Sequence, residues 1–228
     1  MELKFMGKIV ANMAHEVTNI LAAVGENAAL IQDVLTYSRE AASPLPERIF
    51  AAFQTIERQI SRGVELASQL NRFAHDTDET MTKVDLNTML SQVGAFGSRL
   101  ARLKGVDIRV APSEESLGLV GNPIRIQMAL FDCLDYLLDH LKTRTVVMRS
   151  GRTEDGTLEV TYTPEVPGES GKSDVGEPFS TPQWTGLVRS VEGSGGKLVS
   201  DGAVGGLSVV FHPTETQCDL KKGGCKAV

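Results

Sequence analysis

HEVTNILAAV, residues 15–24, places a histidine, a carboxylate and an amide inside an otherwise apolar helical pattern. Wound at about 100° per residue, the surrounding segment brings its apolar residues into one stripe. That stripe consists of Met13, Val17, Ile20, Val24, Ala28, Ile31 and Leu35. His15 projects about 200° away from Met13, on the polar side of the same helix. The stretch therefore predicts a long helix that presents an accessible imidazole, a group that can act as a nucleophile.

The residues around His15 on this helix are small or polar. They are Lys8, Ala11, Asn12, Asn19 and Ala22. The two alanines leave room for a partner molecule to approach the ring. Taken singly, His15 reads as an ordinary surface histidine and each polar neighbour as a solvated surface residue. Their joint spacing favours a reactive site.

The composition is that of a folded, acidic protein. A chain of 228 residues with 41% hydrophobic content is long enough to form two domains with cores. Its formal net charge of −6 argues against nucleic acid and anionic membrane surfaces as partners. No apolar run of roughly 18 residues and no signal-peptide pattern occurs, so we expect a cytoplasmic location. Cys133, Cys218 and Cys225 have no CxxC spacing, which argues against a disulfide framework or a metal site.

Two helical segments form the first predicted domain, residues 1–78. Residues 2–40 contain no proline and predict one long helix, which AASPLPE, residues 41–47, ends. Apolar residues at three- and four-residue intervals predict a second helix over 46–76. Two long helices joined by a short turn form an antiparallel hairpin. Because such a hairpin leaves apolar surface uncovered, we expect a second copy to complete a homodimeric four-helix bundle.

A polar linker, residues 75–83, precedes a second predicted domain over 84–213. Interspersed helices and largely antiparallel strands predict an α+β sandwich with one helical layer over one sheet. The segment 163–182, rich in Gly, Pro and Ser, predicts a loop, and residues 214–228 predict a disordered tail. The helices are predicted over 86–104, 123–141 and 183–192, and the strands over 106–111, 117–120, 145–150, 158–162, 197–201 and 207–212.

This order of elements resembles the bacterial two-component sensor histidine kinases. In that family a dimerisation and histidine-phosphotransfer domain is joined to a GHKL-type ATPase domain. HEVTNILAAV is similar to the family's H-box, whose pattern is His, Glu, two variable residues, Asn and an apolar run, and His15, Glu16 and Asn19 match it. The likeness continues through RLARLKGVDIRV, residues 99–110, and GNPIRIQMALFDCL, residues 121–134. It implies that His15 is the phosphorylated residue, assisted by Glu16 and Asn19.

The nucleotide-binding positions depart from the family pattern. Tyr136 stands where the family has an asparagine that holds Mg²⁺, and Asp132 replaces the asparagine before it; a phenol is a poor ligand for Mg²⁺. The adenine-binding Asp-x-Gly-x-Gly motif is reduced to Asp-Val-Gly at 174–176, and the Gly-Leu-Gly-Leu box to Gly-Leu at 186–187. Lost glycines remove backbone N–H groups that would cradle phosphates. We therefore expect no ATP binding, no autokinase activity, and no intrinsic cofactor or metal.

A chain that keeps the histidine and lacks the nucleotide site resembles the dimeric histidine phosphotransferases of phosphorelays. The leading hypothesis is that His15 takes a phosphoryl group from the aspartate of one response-regulator receiver domain and passes it to another. The receivers are the expected partners and would bring the Mg²⁺, and a hybrid histidine kinase is a further candidate partner. The second domain is expected to serve as a docking surface.

Each neighbour of His15 has an expected role. Glu16 accepts a hydrogen bond from the second ring nitrogen, and Asn19 orients the phosphoryl group or a water molecule. Lys8 is a candidate cation for the phosphoryl oxygens, although a simply solvated lysine also fits. Ala11, Asn12 and Ala22 are candidate contacts for the receiver.

Three alternatives remain at this point. The chain can be a non-catalytic dimer that binds and regulates a receiver or a kinase, with His15 a relic. It can be a receiver phosphatase in which Glu16 and Asn19 position a hydrolytic water, because the residue pattern does not separate transfer from hydrolysis. It can also be an ATP-dependent kinase with unrecognised nucleotide motifs.

Overall fold

The structure, a computed structural model, describes residues 2–37, 45–76, 81–140, 143–165, 181–201 and 205–212. The chain divides into two compact units, Met1–Asp78 and Glu79–Val228. The short motif at 174–176 and the predicted tail at 214–228 lie outside the described residues. Over the described part, every helix is too short or too polar to cross a membrane.

The first unit is the predicted pair of long helices, α1 (Glu2–Tyr37) and α2 (Leu45–Asp76). The ring of Phe5, near the start of α1, packs edge-on against the ring of Phe73, near the end of α2, with centroids 6.0 Å apart. Farther along, Ile20 lies beside Gly63. These contacts join the start of one helix to the end of the other, so the pair is antiparallel.

The apolar side chains of the hairpin fall into two sets. One set is buried at the seam between α1 and α2 and consists of Phe5, Ile9, Met13, Ile20, Ala52 and Phe73. The other set is exposed in the single chain and consists of Val10, Val17, Leu21, Leu30 and Leu35 on α1, and Phe50, Phe53, Ile60, Val64 and Leu70 on α2. The single stripe predicted for α1 is therefore split between these sets: Met13 and Ile20 are buried, whereas Val17 and Leu35 are 41% and 55% exposed.

The second unit is the predicted α+β sandwich. A five-stranded sheet has the order β2-β4-β5-β7-β6, and a small two-stranded sheet pairs β1 with β3. Strands β2 and β4 are parallel and every other pair is antiparallel. The strands are β1 (Thr82–Asp85), β2 (Asp107–Ala111), β3 (Gly118–Gly121), β4 (Thr145–Arg152), β5 (Leu158–Glu165), β6 (Lys197–Asp201) and β7 (Gly206–Phe211), and the helices are α3 (Leu86–Leu103), α4 (Pro123–His140) and α5 (Pro182–Gly193).

Strand β1 lies partly within the stretch that the sequence predicted as a linker. Its four residues carry one buried apolar side chain, Val84, so the alternation that marks a strand is too short to detect. Asp85 ends β1 and caps α3, because its carboxylate accepts hydrogen bonds from the backbone N–H groups of Thr88 and Leu117 at 3.1 and 2.9 Å. The second unit therefore begins earlier than the predicted residue 84.

Two glycines let α3 approach its neighbours closely. A Cβ atom at Gly94 would collide with Val110 of β2, and one at Gly97 would collide with Leu134 of α4. Leu134 is fully buried, so it has little room to move aside. Close contact of α3 with the sheet and with α4 depends on these two positions.

We expect Gly97→Ala to lower the free energy of unfolding of the second unit by about 1–3 kcal/mol, because the added methyl group overpacks the core. The same change at Gly186, in open space on α5, should raise it by about 0.5–1 kcal/mol, because alanine is the better helix former. Urea unfolding followed by circular dichroism measures both changes. Equal effects of the two substitutions would contradict the close packing of α3.

Candidate functional site

His15 is exposed in the middle third of α1, on a regular helix that fixes its direction. Ala11 and Asn19, one turn before and one turn after it, are exposed as well. Ala22 is also exposed, whereas Lys8 and Asn12 are half-buried. The imidazole thus stands on an open surface that a second molecule can approach.

Glu16 has a different environment from its neighbour. It is buried, with 8% of the residue exposed, and its carboxylate forms an ion pair with the guanidinium of Arg62 on α2. Adjacent residues on a helix point about 100° apart, so His15 faces outward while Glu16 faces α2. The expected hydrogen bond from the His15 ring to Glu16 stays a prediction, and the Glu16 carboxylate is engaged by Arg62.

Arg62 was not among the residues singled out from the sequence. No local motif marks it, because it lies far from His15 along the chain. The antiparallel pairing of the two helices is the only feature from which its position beside Glu16 could be predicted. Glu16 lies about three turns after Phe5 and Arg62 about three turns before Phe73, so the Phe5–Phe73 contact brings them level.

The ion pair leaves part of Arg62 available. Its side chain is 46% exposed, whereas that of Glu16 is 11% exposed. A guanidinium has five N–H donors in a planar fork and can hold a carboxylate while other donors face solvent. A nearly buried carboxylate, in contrast, depends on its cation, since an unpaired charge in that position is costly.

In the second unit, the predicted nucleotide positions take part in helix packing. Tyr136 of α4 is buried, and its ring stacks on that of His140 with centroids 4.1 Å apart and an interplanar angle of 21°. The indole of Trp184, on α5, lies against the same ring at 5.6 Å. Burial raises the pKa of Tyr136, and a hydrogen bond with the Thr181 side chain opposes that shift.

Thr181 connects this aromatic cluster to the start of α5. Its hydroxyl oxygen accepts a hydrogen bond from the backbone N–H of Trp184 at 3.1 Å, which caps the helix, and Pro182 follows at a favoured first-turn position. Tyr136 therefore contacts the residue that fixes where α5 begins.

The other departures from the family pattern also have packing roles. Asp132 of α4 accepts a hydrogen bond from the hydroxyl of Ser190 on α5 at 2.6 Å. Gly186 and Leu187 lie inside α5, where Leu187 is buried. This Gly-Leu pair is thus helical.

Cys133 is a structural residue of α4. Burial raises the pKa of the Cys133 thiol, and the charge of Asp132 raises it further. A neutral, enclosed thiol is a core residue. Among described residues, no three His, Cys, Asp or Glu side chains cluster where they could hold a metal ion.

We expect Tyr136 and Tyr162 to resist ionisation in alkali. Burial raises the pKa of both phenols, and the hydroxyl of Tyr162 donates to the Leu130 carbonyl at 2.8 Å. A raised folded-state pKa adds stability that is complete below the unfolded value of about 10 and is lost as the pH rises through the folded value. Tyrosinate absorbance from these residues should therefore appear together with the loss of circular dichroism. Normal ionisation of both phenols in the still-folded protein would contradict their burial.

Sequence comparisons do not assign the chain to a family. No protein-family model matches it, and no curated protein matches it by sequence.

The solved structures that resemble the chain include cytoplasmic and ATP-binding portions of histidine kinases. The histidine kinase AdeS of Acinetobacter baumannii is 11% identical, with a TM-score of 0.44, over 81% of this chain and 94% of that one. The cytoplasmic segment of histidine kinase QseC is 13% identical, with a TM-score of 0.43, over 68% and 95%. The ATP-binding domain of PrrB from Mycobacterium tuberculosis is 18% identical, with a TM-score of 0.45, over 59% and 98%. At these identities the likeness is one of fold alone.

Proposed function

We propose that this chain is a cytoplasmic histidine phosphotransferase that relays phosphoryl groups between receiver-domain aspartates through His15, without binding ATP. The observation that carries the proposal is the position of His15, exposed on a rigid helix between Ala11 and Asn19. Supporting it, Tyr136 and Asp132, at the nucleotide positions of the resemblance, pack α4 against α5. The chain would need no intrinsic cofactor, and the receiver would supply Mg²⁺.

The reaction begins with the lone pair of an imidazole nitrogen. This nitrogen attacks the phosphorus of the receiver's aspartyl phosphate, the new N–P bond forms, and the bond from phosphorus to the aspartate oxygen breaks. The carboxylate leaves as an anion, and the proton on the other ring nitrogen stays in place. Such a transfer depends on in-line positioning and charge neutralisation. The return step to a second receiver reverses it.

The receiver would dock on the exposed surface of the hairpin around His15. Ala11 and Ala22 present no bulk beside the ring, so a partner helix or loop can come close, and Asn12 and Asn19 supply amide groups. Lys8 is half-buried, which leaves it as a candidate cation only if its ammonium group reaches the surface. A polar surface of α2 that includes Arg62 extends this region and is lined by Gln54, Glu57, Arg58, Ser61 and Glu65.

We further propose that the chain is a homodimer. Most of the exposed apolar residues share one face of each helix, with Val10, Val17, Leu21 and Leu35 on α1 and Phe53, Ile60 and Val64 on α2, on a hairpin whose seam is already filled by others. Val17 and His15 point about 160° apart, so covering this set with a second copy leaves His15 accessible. A four-helix bundle is the simplest such assembly.

Val17→Glu together with Ile60→Glu should convert the dimer into a monomer, because charges at these positions would be buried at the interface. Light scattering coupled to size-exclusion chromatography measures the mass. Ala29→Glu, an exposed change on the same helix but on its polar side, is the control and should leave the dimer intact. A monomeric native protein would overturn this part of the proposal.

The function is tested by incubating the protein with a receiver phosphorylated on its aspartate and, separately, with ATP. We expect acid-labile, base-stable label from the receiver and none from ATP, and complete loss of label in His15→Ala. Receiver binding should survive this substitution, because alanine leaves the docking surface intact.

Other outcomes identify the alternatives. Label from ATP alone would make the chain a kinase, and micromolar ATP binding in calorimetry would contradict the role given to Tyr136. Receiver binding without label would favour the regulatory interaction module. Rapid release of inorganic phosphate without label on His15 would favour a phosphatase.

A further inference from the structure

We propose that Arg62 favours phosphoryl transfer to His15 over hydrolysis of the receiver's aspartyl phosphate. It does so by holding the Glu16 carboxylate at the seam with α2. The inference rests on the proposed function and adds a positioning residue to it. It separates two reactions, transfer and hydrolysis, that the residue pattern around His15 leaves equally open.

The geometry places Arg62 on the reactive side of the hairpin. It lies two positions from both Ile60 and Val64, and therefore about 160° away from these exposed apolar residues. His15 has the same relation to Val17 on α1. Both residues thus point away from the apolar surface, and Arg62 contacts the residue that immediately follows His15.

Transfer to His15 needs no general base. The attacking nitrogen uses its lone pair, so no proton has to leave when the N–P bond forms and the aspartate oxygen departs. A carboxylate engaged by a guanidinium is therefore compatible with rapid transfer.

Hydrolysis has a different requirement. The oxygen of a water molecule attacks phosphorus, the bond from phosphorus to the aspartate oxygen breaks, and a proton of the water must pass to a base, giving inorganic phosphate and free aspartate. Asn19 is exposed one turn from His15 and can orient such a water. Glu16 is the neighbouring carboxylate that could take the proton, and the ion pair with Arg62 directs it toward α2 instead.

The test is Arg62→Met, which keeps an unbranched apolar side chain close to the length of the aliphatic part of arginine and removes the charge. With a phosphorylated receiver as substrate, we expect phosphate release to rise about tenfold or more, since a Glu16 carboxylate that is no longer paired with Arg62 can act as general base. At saturating receiver, the initial rate of His15 labelling should remain within about twofold of the native value, because transfer uses no base. A purely structural role for Arg62 would lower transfer and hydrolysis together.

Two variants control the interpretation. Glu16→Gln combined with Arg62→Met should return phosphate release to the native rate, because the amide cannot accept the proton. Arg48→Met removes an exposed arginine about four turns before Arg62 on α2, outside the surface proposed for the receiver, and it should change nothing. If Arg62→Met does not fold at the assay temperature, Arg62→Lys keeps the charge without the planar fork and should give a smaller rise.

Unchanged phosphate release in folded Arg62→Met, or a rise that persists in the double variant, would overturn the inference. Failure of the native protein to acquire label on His15 would instead overturn the proposed function. The variants therefore test the inference, and the native protein tests the proposed function.

Discussion

Apolar side chains along the seam between α1 and α2 hold the two helices in one antiparallel register, with Phe5 against Phe73 at one end. The direction of every residue at the reactive surface depends on this register. A shift of one residue would turn each side chain by about 100° and would separate Glu16 from Arg62. The exposure of His15 and the burial of the residue next to it are thus two consequences of the same packing.

The sequence was sufficient to predict the elements whose apolar residues recur at regular intervals. Helix α1 carries apolar residues over many turns, and α4 begins at Pro123 as its first-turn preference predicts, so these elements and the sandwich were predicted. Strand β1 was missed because four residues with one buried side chain contain no period. The helical stripe predicted around Met13 merged two faces, since the sequence does not say which apolar residues face α2 and which remain exposed.

The candidate site likewise contains residues that the sequence predicts and one residue that only the structure shows. His15, Glu16 and Asn19 lie within one short motif, and their spacing along a helix is visible in the chain. Arg62 comes from the other helix, and its contact with Glu16 follows from tertiary pairing that no local pattern encodes. In the second unit, Tyr136 was predicted to be a poor metal ligand from its side chain alone, whereas its stacking on His140 and its link to the cap of α5 required coordinates.

The indole that packs beside Tyr136 belongs to the only tryptophan in the chain. Its fluorescence therefore reports on the junction of α4 and α5 in the second unit. Far-ultraviolet ellipticity, in contrast, is weighted toward α1 and α2, the two longest helices described. The two optical signals can be followed in one sample, so the chain carries a natural means of distinguishing the melting of one unit from that of the other.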